Sequence, residues 1–187
     1  MHISQAFKII QKDEFNILSL FKTQEYNLIR RRMIELVLAT DMANHSKILS
    51  QFKSMIETFD IRNGKNIDKI IFPDNLSKTF ENQQIILSAI IHSADISNPA
   101  KPNHIQKTWV DLIFIEFFKQ GDLERNSKLP ITLLCDRHST NIDKSQIGFM
   151  KFVVFPTFES LFYVIPEVSP LLDYIRINLK KYEEIIY

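Results

Sequence analysis

The sequence predicts an all-α protein, and two observations support that fold class. Only three of the 187 residues are glycine, so the tight turns with positive φ that a many-stranded sheet protein needs must be scarce. Apolar residues also recur at steps of three and four over long stretches, which is the period of one helix face. We therefore expect a bundle of about seven helices in one domain, without internal repeats.

The first helical stretch begins at Tyr26 and ends near Phe52. Positions on one face step by three and four residues, and they are Ile29, Met33, Val37, Leu38, Met42, His45, Leu49 and Phe52. This spacing predicts one long amphipathic helix.

A predicted loop and a second helix follow. Residues 60–75 contain turn signals at 63–64, which is Asn-Gly, and at 73–74, which is Pro-Asp. The apolar stretch 81–94 then predicts a helix that ends before Pro99.

Three more helices are predicted in the second half of the chain. The periodic stretch 105–117 predicts a helix that stops at Gly121, since glycine commonly follows a helix end. Asn141 is a candidate N-cap for the next helix, which Pro156 is expected to kink. The Ser-Pro pair at 169–170 suits the start of a last helix that reaches the C-terminus.

Composition limits the class of protein. Hydrophobic residues make up 45% and charged residues 24% of the chain, and the net charge is +1, so nothing indicates a nucleic-acid or membrane-surface partner. No uninterrupted apolar run reaches the roughly 18–20 residues of a membrane helix, and no signal-peptide pattern opens the chain. One cysteine, Cys135, excludes a disulfide framework. We expect a cytoplasmic protein.

Asp95 follows a markedly apolar run, and its carboxylate has two interpretations. In the first, the side chain accepts hydrogen bonds from backbone N–H groups just after the helix end. In the second, Asp95 is a ligand for a hard metal ion, with His92 three residues earlier on the same helix face. Spacing alone leaves both open, and a histidine in such a position is more often a hydrogen-bonded core residue.

Gln146 and Phe149 are three residues apart and would share one helix face. An amide that donates and accepts, beside a flat ring that stacks, suits recognition of a purine base. The alternative is a core phenylalanine with a glutamine at the solvent border. From spacing alone this alternative is favoured.

Four ordered blocks resemble the catalytic domain of class I cyclic nucleotide phosphodiesterases. They are "LATDMANH" (38–45), "HSADISNPAKP" (92–102), "WVDLIFIEFFKQGDLER" (109–125) and "CDRHSTNIDKSQIGFMKFVVFPTFE" (135–159). The resemblance extends from about His2 to Tyr182, which is nearly the whole chain.

The resemblance implies an all-helical catalytic domain that hydrolyses 3′,5′-cyclic nucleotides, cyclic AMP or cyclic GMP, to 5′-nucleotides. The family's pocket holds two divalent metal ions, usually zinc with magnesium or manganese. Asp95 matches the last metal ligand of the family, and Thr40 matches a residue that touches metal-bound water. The matching substrate-binding residues are Asn98, a polar pocket residue, Gln146 at the purine edge, and Phe149 with Ile113 around the base.

This chain departs from the family pattern in its acid and metal ligands. The family's H-N-x-x-H motif and a later His-Asp pair would lie upstream of Met1, and neither occurs among these 187 residues. We therefore expect residues 1–187 to be the C-terminal part of a single phosphodiesterase catalytic domain, truncated at its N-terminal side, with no catalytic residue of its own. Without a general acid for the leaving O3′, the rate should fall by about 10²–10⁴.

Three hypotheses follow for the chain. It is a part of an active enzyme, which we favour, or a non-catalytic module that binds a nucleotide, or a helical interaction module derived from the same domain. The expected partners are a cyclic nucleotide and either a second copy of the chain or the missing N-terminal half.

Overall fold

A computed structural model describes residues 2–61, 64–65, 67 and 79–186. The predicted all-α fold class is confirmed, because these residues form helices, turns and loops, and no strand occurs in 2–61 or 79–186. The chain divides into two compact units, Met1–Ala94 and Asp95–Tyr187. The predicted turn at 73–74 lies outside the described residues.

The described residues of the first unit form four helices. They are α1 (His2–Ile10), α2 (Thr23–Ala39), α3 (His45–Thr58) and α4 (Thr79–Asp95), whose last residue begins the second unit. Two single-turn 3₁₀ helices lie between them, at Asp13–Phe15 and Met42–Asn44. The buried apolar residues of this unit include Phe7, Leu18, Ala39, Phe52, Met55, Ile56, Ile61, Ile86 and Ala89.

Consecutive arginines of helix α2 stack on an aromatic ring of a neighbouring helix. The Arg31 and Arg32 guanidinium carbons lie 4.7 and 4.4 Å from the centre of the Phe80 ring on α4. Arg32 also donates a hydrogen bond to Gln83 at 3.1 Å. Stacked guanidinium groups of this kind combine cation–π attraction with burial of their alkyl stems.

The prediction of one helix from Tyr26 to Phe52 was wrong, because the chain breaks between α2 and α3. The Thr40 hydroxyl donates back to the Val37 carbonyl at 2.8 Å, and the Asp41 carboxylate accepts from the Ala43 N–H at 2.9 Å. Side chains of this type satisfy the backbone locally and so compete with helix continuation. The periodic residues next to the break are also not buried, since Val37 is 38%, Leu38 57% and Met42 44% exposed.

The described residues of the second unit, 95–186, also form four helices, together with short 3₁₀ turns. The helices are α5 (Asn103–Asn126), α6 (Ile142–Phe149), α7 (Phe155–Val164) and α8 (Ser169–Ile186), and the 3₁₀ turns are Asn98–Ala100 and Pro166–Val168. The predicted N-cap at Asn141 is confirmed, since its Oδ1 accepts from the Lys144 N–H at 2.9 Å. The core consists of Ile96, Ala100, Met150, Val154, Phe158, Leu172, Ile175 and Tyr182.

The prediction that a helix stops at Gly121 was wrong, because α5 continues to Asn126. Gly121 is needed there for close packing. A Cβ at this position would lie 1.9 Å from the carbonyl oxygen of Cys135 and 2.7 Å from its carbonyl carbon. The sequence therefore uses glycine so that a loop backbone can contact the helix directly.

Pro156 does not end its helix, which continues from Ile142 to Val164. A proline ring would collide with the carbonyl four residues earlier in a regular α-helix. The chain instead forms a five-residue π turn, Met150–Val154, in which the Phe155 N–H bonds to the Met150 carbonyl. The predicted irregularity at Pro156 is thus a wider turn, a known way to accommodate local disruption.

The segment Ile142–Val164 is also long and apolar enough to cross a membrane, judged by length and composition alone. Core helices can meet the same criterion. Met150, Val154 and Phe158 from this segment belong to the core of the second unit.

We expect Gly121→Ala to lower the free energy of unfolding by about 1–3 kcal/mol or more, because the new methyl group would force apart α5 and the Cys135 backbone. Gly148→Ala is the matched control. A Cβ at Gly148 meets no atom within 4 Å, so higher helix propensity should raise stability by up to about 1 kcal/mol. Urea unfolding followed by circular dichroism measures both, and equal effects would contradict the packing argument.

Candidate functional site

The 3₁₀ turn that contains Asn98 is held by one buried amide of α8. Asn178 is fully buried, and its Nδ2 donates to the Pro99 carbonyl at 2.9 Å and to the Lys101 carbonyl at 2.7 Å. Its Oδ1 accepts from Asn103 at 3.1 Å. Because every polar atom of this amide is used, the turn that follows α4 has a fixed conformation.

A second buried polar contact lies between α5 and α8. The Gln106 amide, which is fully buried, donates to the Tyr182 hydroxyl at 3.2 Å. Burial raises the pKa of Tyr182, so the hydroxyl is protonated and can donate to the Gln106 carbonyl oxygen at 3.4 Å. This pair fixes the helix on which Ile113 lies.

Two side-chain carbonyls of the second unit are buried without a hydrogen-bond donor among the described residues. They are Oδ1 of Asn98 and Oε1 of Gln146. Gln146 lies on α6 and is only 7% exposed. A buried acceptor without a partner costs about 1–3 kcal/mol, so two of them need an explanation. A ligand that donates hydrogen bonds would supply one.

Gln146 and Phe149 lie on the same helix, as their spacing predicted. Phe149 is half-buried and packs against the core of the second unit, so part of its ring serves the core. Gln146 is buried and does not lie at the solvent border, which was the alternative interpretation. The Phe149 ring therefore partly fits the alternative of a core phenylalanine. The Gln146 amide does not fit the alternative of a glutamine at the solvent border.

Ile113 is an accessible apolar residue on α5. Its side chain is 41% exposed, although Val110 and Phe114 on the same helix are each only 2% exposed. Ile113 therefore lies at the border between the core and the surface, where an apolar ligand could cover it.

Asp95 is exposed and is the last residue of α4. Its carboxylate makes no hydrogen bond or ion pair with the described residues of its own unit, so the backbone-capping interpretation has no contact to support it. The last carbonyls of a helix carry partial negative charge, and a carboxylate there costs about 0.3–1 kcal/mol. A carboxylate without a local partner is free to bind a cation, because carboxylate oxygens are ligands that hard divalent ions prefer.

Thr40 lies in the first unit, at the C-cap of α2. Its hydroxyl proton is used by the Val37 carbonyl at 2.8 Å, while the hydroxyl oxygen keeps its capacity to accept. His92 is fully buried and bonds to the Ala39 carbonyl and to His45. It is therefore a hydrogen-bonded core histidine, as expected for its position.

The described residues do not by themselves fit a divalent metal site. Within 2–61, 64–65, 67 and 79–186, no group of three or more His, Cys, Asp or Glu side chains is placed to hold an ion. Asp95 offers one carboxylate, whereas zinc or magnesium needs several ligands.

Sequence reasoning missed Asn178 and the pairing of His45 with His92. An asparagine within the apolar face of the last helix is the signal that could have revealed Asn178, because a buried amide must find partners. For the histidines the signal was their occurrence in two of the matched blocks, 38–45 and 92–102.

Known proteins resemble this chain over nearly its whole length. A sequence profile for the family described as 3′5′-cyclic nucleotide phosphodiesterase matches residues 1–175. Rat 3′,5′-cyclic-AMP phosphodiesterase 4C is 34% identical over 183 residues, which are 97% of this chain and 33% of the rat protein. The Drosophila melanogaster 3′,5′-cyclic-AMP phosphodiesterase isoform F is 34% identical over 99% of this chain and 27% of its own length.

Solved structures show the same similarity. The phosphodiesterase domain of the RhoPDE fusion protein from the choanoflagellate Salpingoeca rosetta superimposes with a TM-score of 0.83 at 29% identity, over 98% of this chain and 55% of that one. The structure of LmjPDEB1 in complex with IBMX superimposes with a TM-score of 0.82 at 25% identity, over 99% of this chain and 51% of that one. The chain thus spans about a third or less of these curated relatives and about half of these solved chains.

We expect Gln146→Met to raise the free energy of unfolding by up to about 1–3 kcal/mol, because it removes a buried unpaired carbonyl without opening a cavity. The contrasting variant is Asn178→Leu. It should lower stability by a similar amount, since it leaves the Pro99 and Lys101 carbonyls without donors. Urea unfolding measures both. A destabilised Gln146→Met would mean that the amide already has a partner.

Proposed function

This chain belongs to the 3′5′-cyclic nucleotide phosphodiesterase family. From that premise we propose that it forms the part of a phosphodiesterase pocket that binds the purine base. We call this part the base-recognition wall, and its proposed residues are Asn98, Ile113, Gln146 and Phe149. Residues 1–187 are one part of a single catalytic domain, and the complete enzyme hydrolyses 3′,5′-cyclic nucleotides to 5′-nucleotides. The observation that carries the proposal is the pair of buried, unpaired carbonyls on Asn98 and Gln146.

Gln146 is the proposed contact to the purine edge. A glutamine amide can present its oxygen or its NH₂ group to a given point by turning over. Adenine offers a donor at its exocyclic amine where guanine offers an acceptor, so Gln146 can serve either base. The relatives named above carry cyclic AMP in their names, which supports cyclic AMP as the first substrate to test and cyclic GMP as the second.

Phe149 and Ile113 are the proposed apolar contacts to the two faces of the base. Stacking on an aromatic ring does not distinguish bases, because every base has a π-face. The ring of Phe149 packs against the core of the second unit, and the side chain of Ile113 is exposed. Both features suit a surface against which a planar ligand packs.

Asp95 is proposed to supply one carboxylate oxygen to a divalent cation, zinc with magnesium or manganese. Its exposure at a helix C-terminus without a local partner supports this role. The remaining ligands would come from outside the described residues. The match of Thr40 to the family pattern supports a separate proposal, that its hydroxyl binds a metal-bound water.

A cytoplasmic location and an additional polypeptide partner complete the proposal. The single cysteine, Cys135, is buried, which fits a protein without disulfides. Several large apolar side chains of the first unit are exposed, including Ile17 at 75% and Leu20 at 96%. Exposed apolar surface of this kind favours contact with another protein surface, either a second copy or the rest of the domain.

A binding titration tests the wall directly. Cyclic AMP added to ¹⁵N-labelled residues 1–187 should shift the side-chain amide signals of Gln146 and Asn98, and Gln146→Met should weaken the response. If neither amide responds at millimolar nucleotide, the proposed wall is wrong. A response without hydrolysis in any larger form of the protein would instead support the non-catalytic binding module.

We expect a polypeptide of residues 1–187 to release no 5′-nucleotide from cyclic AMP or cyclic GMP, even with added zinc, magnesium or manganese. The reason is that Asp95 is an isolated carboxylate and no H-N-x-x-H motif is present. Phosphorus NMR of the reaction mixture provides the measurement. Turnover that is abolished by Asp95→Ala would contradict this expectation.

An active chimera would test whether Gln146 and Phe149 contribute to substrate binding. The part of rat phosphodiesterase 4C that precedes its matched region is joined to residues 1–187. In this active background, Gln146→Ala and Phe149→Ala should each raise the Michaelis constant by the equivalent of about 1–3 kcal/mol. Phe152→Ala is the matched control, because Phe152 is 77% exposed. An unchanged constant in Phe149→Ala would mean that its ring serves only the core.

A further inference from the structure

The C-terminal end of α2 leaves carbonyl groups that no following helical residue can satisfy. The last three carbonyls of α2 have different partners. The Val37 carbonyl accepts from the backbone N–H and the hydroxyl of Thr40, at 3.3 and 2.8 Å. The Leu38 carbonyl accepts from the Asp41 N–H and from the Asn44 amide, both at 3.3 Å. The Ala39 carbonyl is bonded by His92, which lies 53 residues later on α4, at 2.9 Å.

The bond to Ala39 determines the tautomer of His92. A carbonyl oxygen can only accept, so the Nδ1 atom of His92 must carry a proton. In a neutral imidazole the other nitrogen, Nε2, is then an acceptor. His92 is only 1% exposed, so its two ring nitrogens find their partners within the protein, at the Ala39 carbonyl and at His45.

The tautomer of His92 in turn determines that of His45. The His45 Nδ1 atom lies 2.9 Å from His92 Nε2, and the ring centres are 5.1 Å apart. Since His92 Nε2 accepts, His45 must donate from Nδ1. Burial lowers the pKa of His45, and the neighbouring His92 lowers it further, which favours the neutral form of the His45 ring. For two neutral rings, this is the one proton arrangement that makes both hydrogen bonds.

We propose that His92 and His45 form a tautomer-locked clip that positions Thr40. The clip runs from α3 through α4 to the last carbonyl of α2, and Thr40 is the next residue after that carbonyl. Both histidines are positioning residues. The existence of the clip depends on geometry alone, whereas its value for catalysis rests on the proposed function, in which Thr40 lies at the reaction site.

The first experiment measures the tautomers. Long-range ¹H–¹⁵N correlation spectra of residues 1–187 near pH 7.5 should show a protonated Nδ1 and an unprotonated Nε2 for His45 and His92. His2, His104 and His138 are exposed and serve as internal references for solvent-averaged rings. An Nε2–H pattern at either His45 or His92 would overturn the clip.

Matched variants separate the bond to Ala39 from general packing. Asparagine can place an N–H near the position of Nδ1, whereas glutamine places its amide near Nε2. His92→Asn should therefore keep the backbone amides of Thr40 and Asp41 protected from hydrogen exchange. His92→Gln should make them exchange about tenfold faster, the factor for one lost hydrogen bond. Equal protection in the two variants would overturn the clip, and the exposed-site control His104→Gln should change nothing.

The chimera described above tests the functional part. His92→Gln should lower kcat there and leave the Michaelis constant for cyclic AMP unchanged, because Thr40 is not among the proposed base contacts. His92→Asn should restore most of kcat. An unchanged kcat in His92→Gln would overturn the positioning role. An inactive parent chimera would count against the proposed function, and the tautomer and exchange results would then decide whether the clip exists.

Discussion

The second unit depends on one buried amide. Asn178 supplies both of its N–H groups to carbonyls of the segment that links α4 to α5, and its own carbonyl is bonded by the first residue of α5. A prolyl and a lysyl carbonyl in that position have no helix or strand to satisfy them. The last helix therefore acts as the hydrogen-bonding partner for a turn some 77 residues away, and the position of Asn98 follows from it.

Much of the fold could be predicted from the sequence because helix starts are encoded locally. Asn141 caps α6 through its own side chain, and the Ser-Pro pair at 169–170 begins α8. The two errors had tertiary or competing causes. The break at Thr40 reflects side chains that bond to nearby backbone, and the glycine within α5 reflects a loop backbone against it. The spacing of apolar residues, on which the helix prediction was based, is the same with or without these contacts. It therefore could not reveal them.

Candidate site residues could be named from the sequence, whereas their hydrogen bonding could not. Resemblance to a family selects Asn98 and Gln146 by position, yet only the fold shows that their carbonyls are buried without a donor among the described residues. Hydrogen-bond satisfaction depends on neighbours distant in sequence, so spacing cannot reveal it. The same holds for Asp95, whose carboxylate was expected at the end of an apolar run and is exposed at the negative end of a helix.

The π turn at Met150–Val154 also affects which side of its helix is buried. Gln146, Met150, Val154 and Phe158 are spaced four residues apart, and all four are buried. In a regular α-helix, side chains with this spacing drift by about 40° per step around the axis. A π turn has more residues per turn, so it offsets this drift and keeps the four side chains on one side of the helix. Phe152 is 77% exposed although it lies within the same turn. A hydropathy average counts Phe152 together with the core residues and therefore contains no information about which side of the helix is buried.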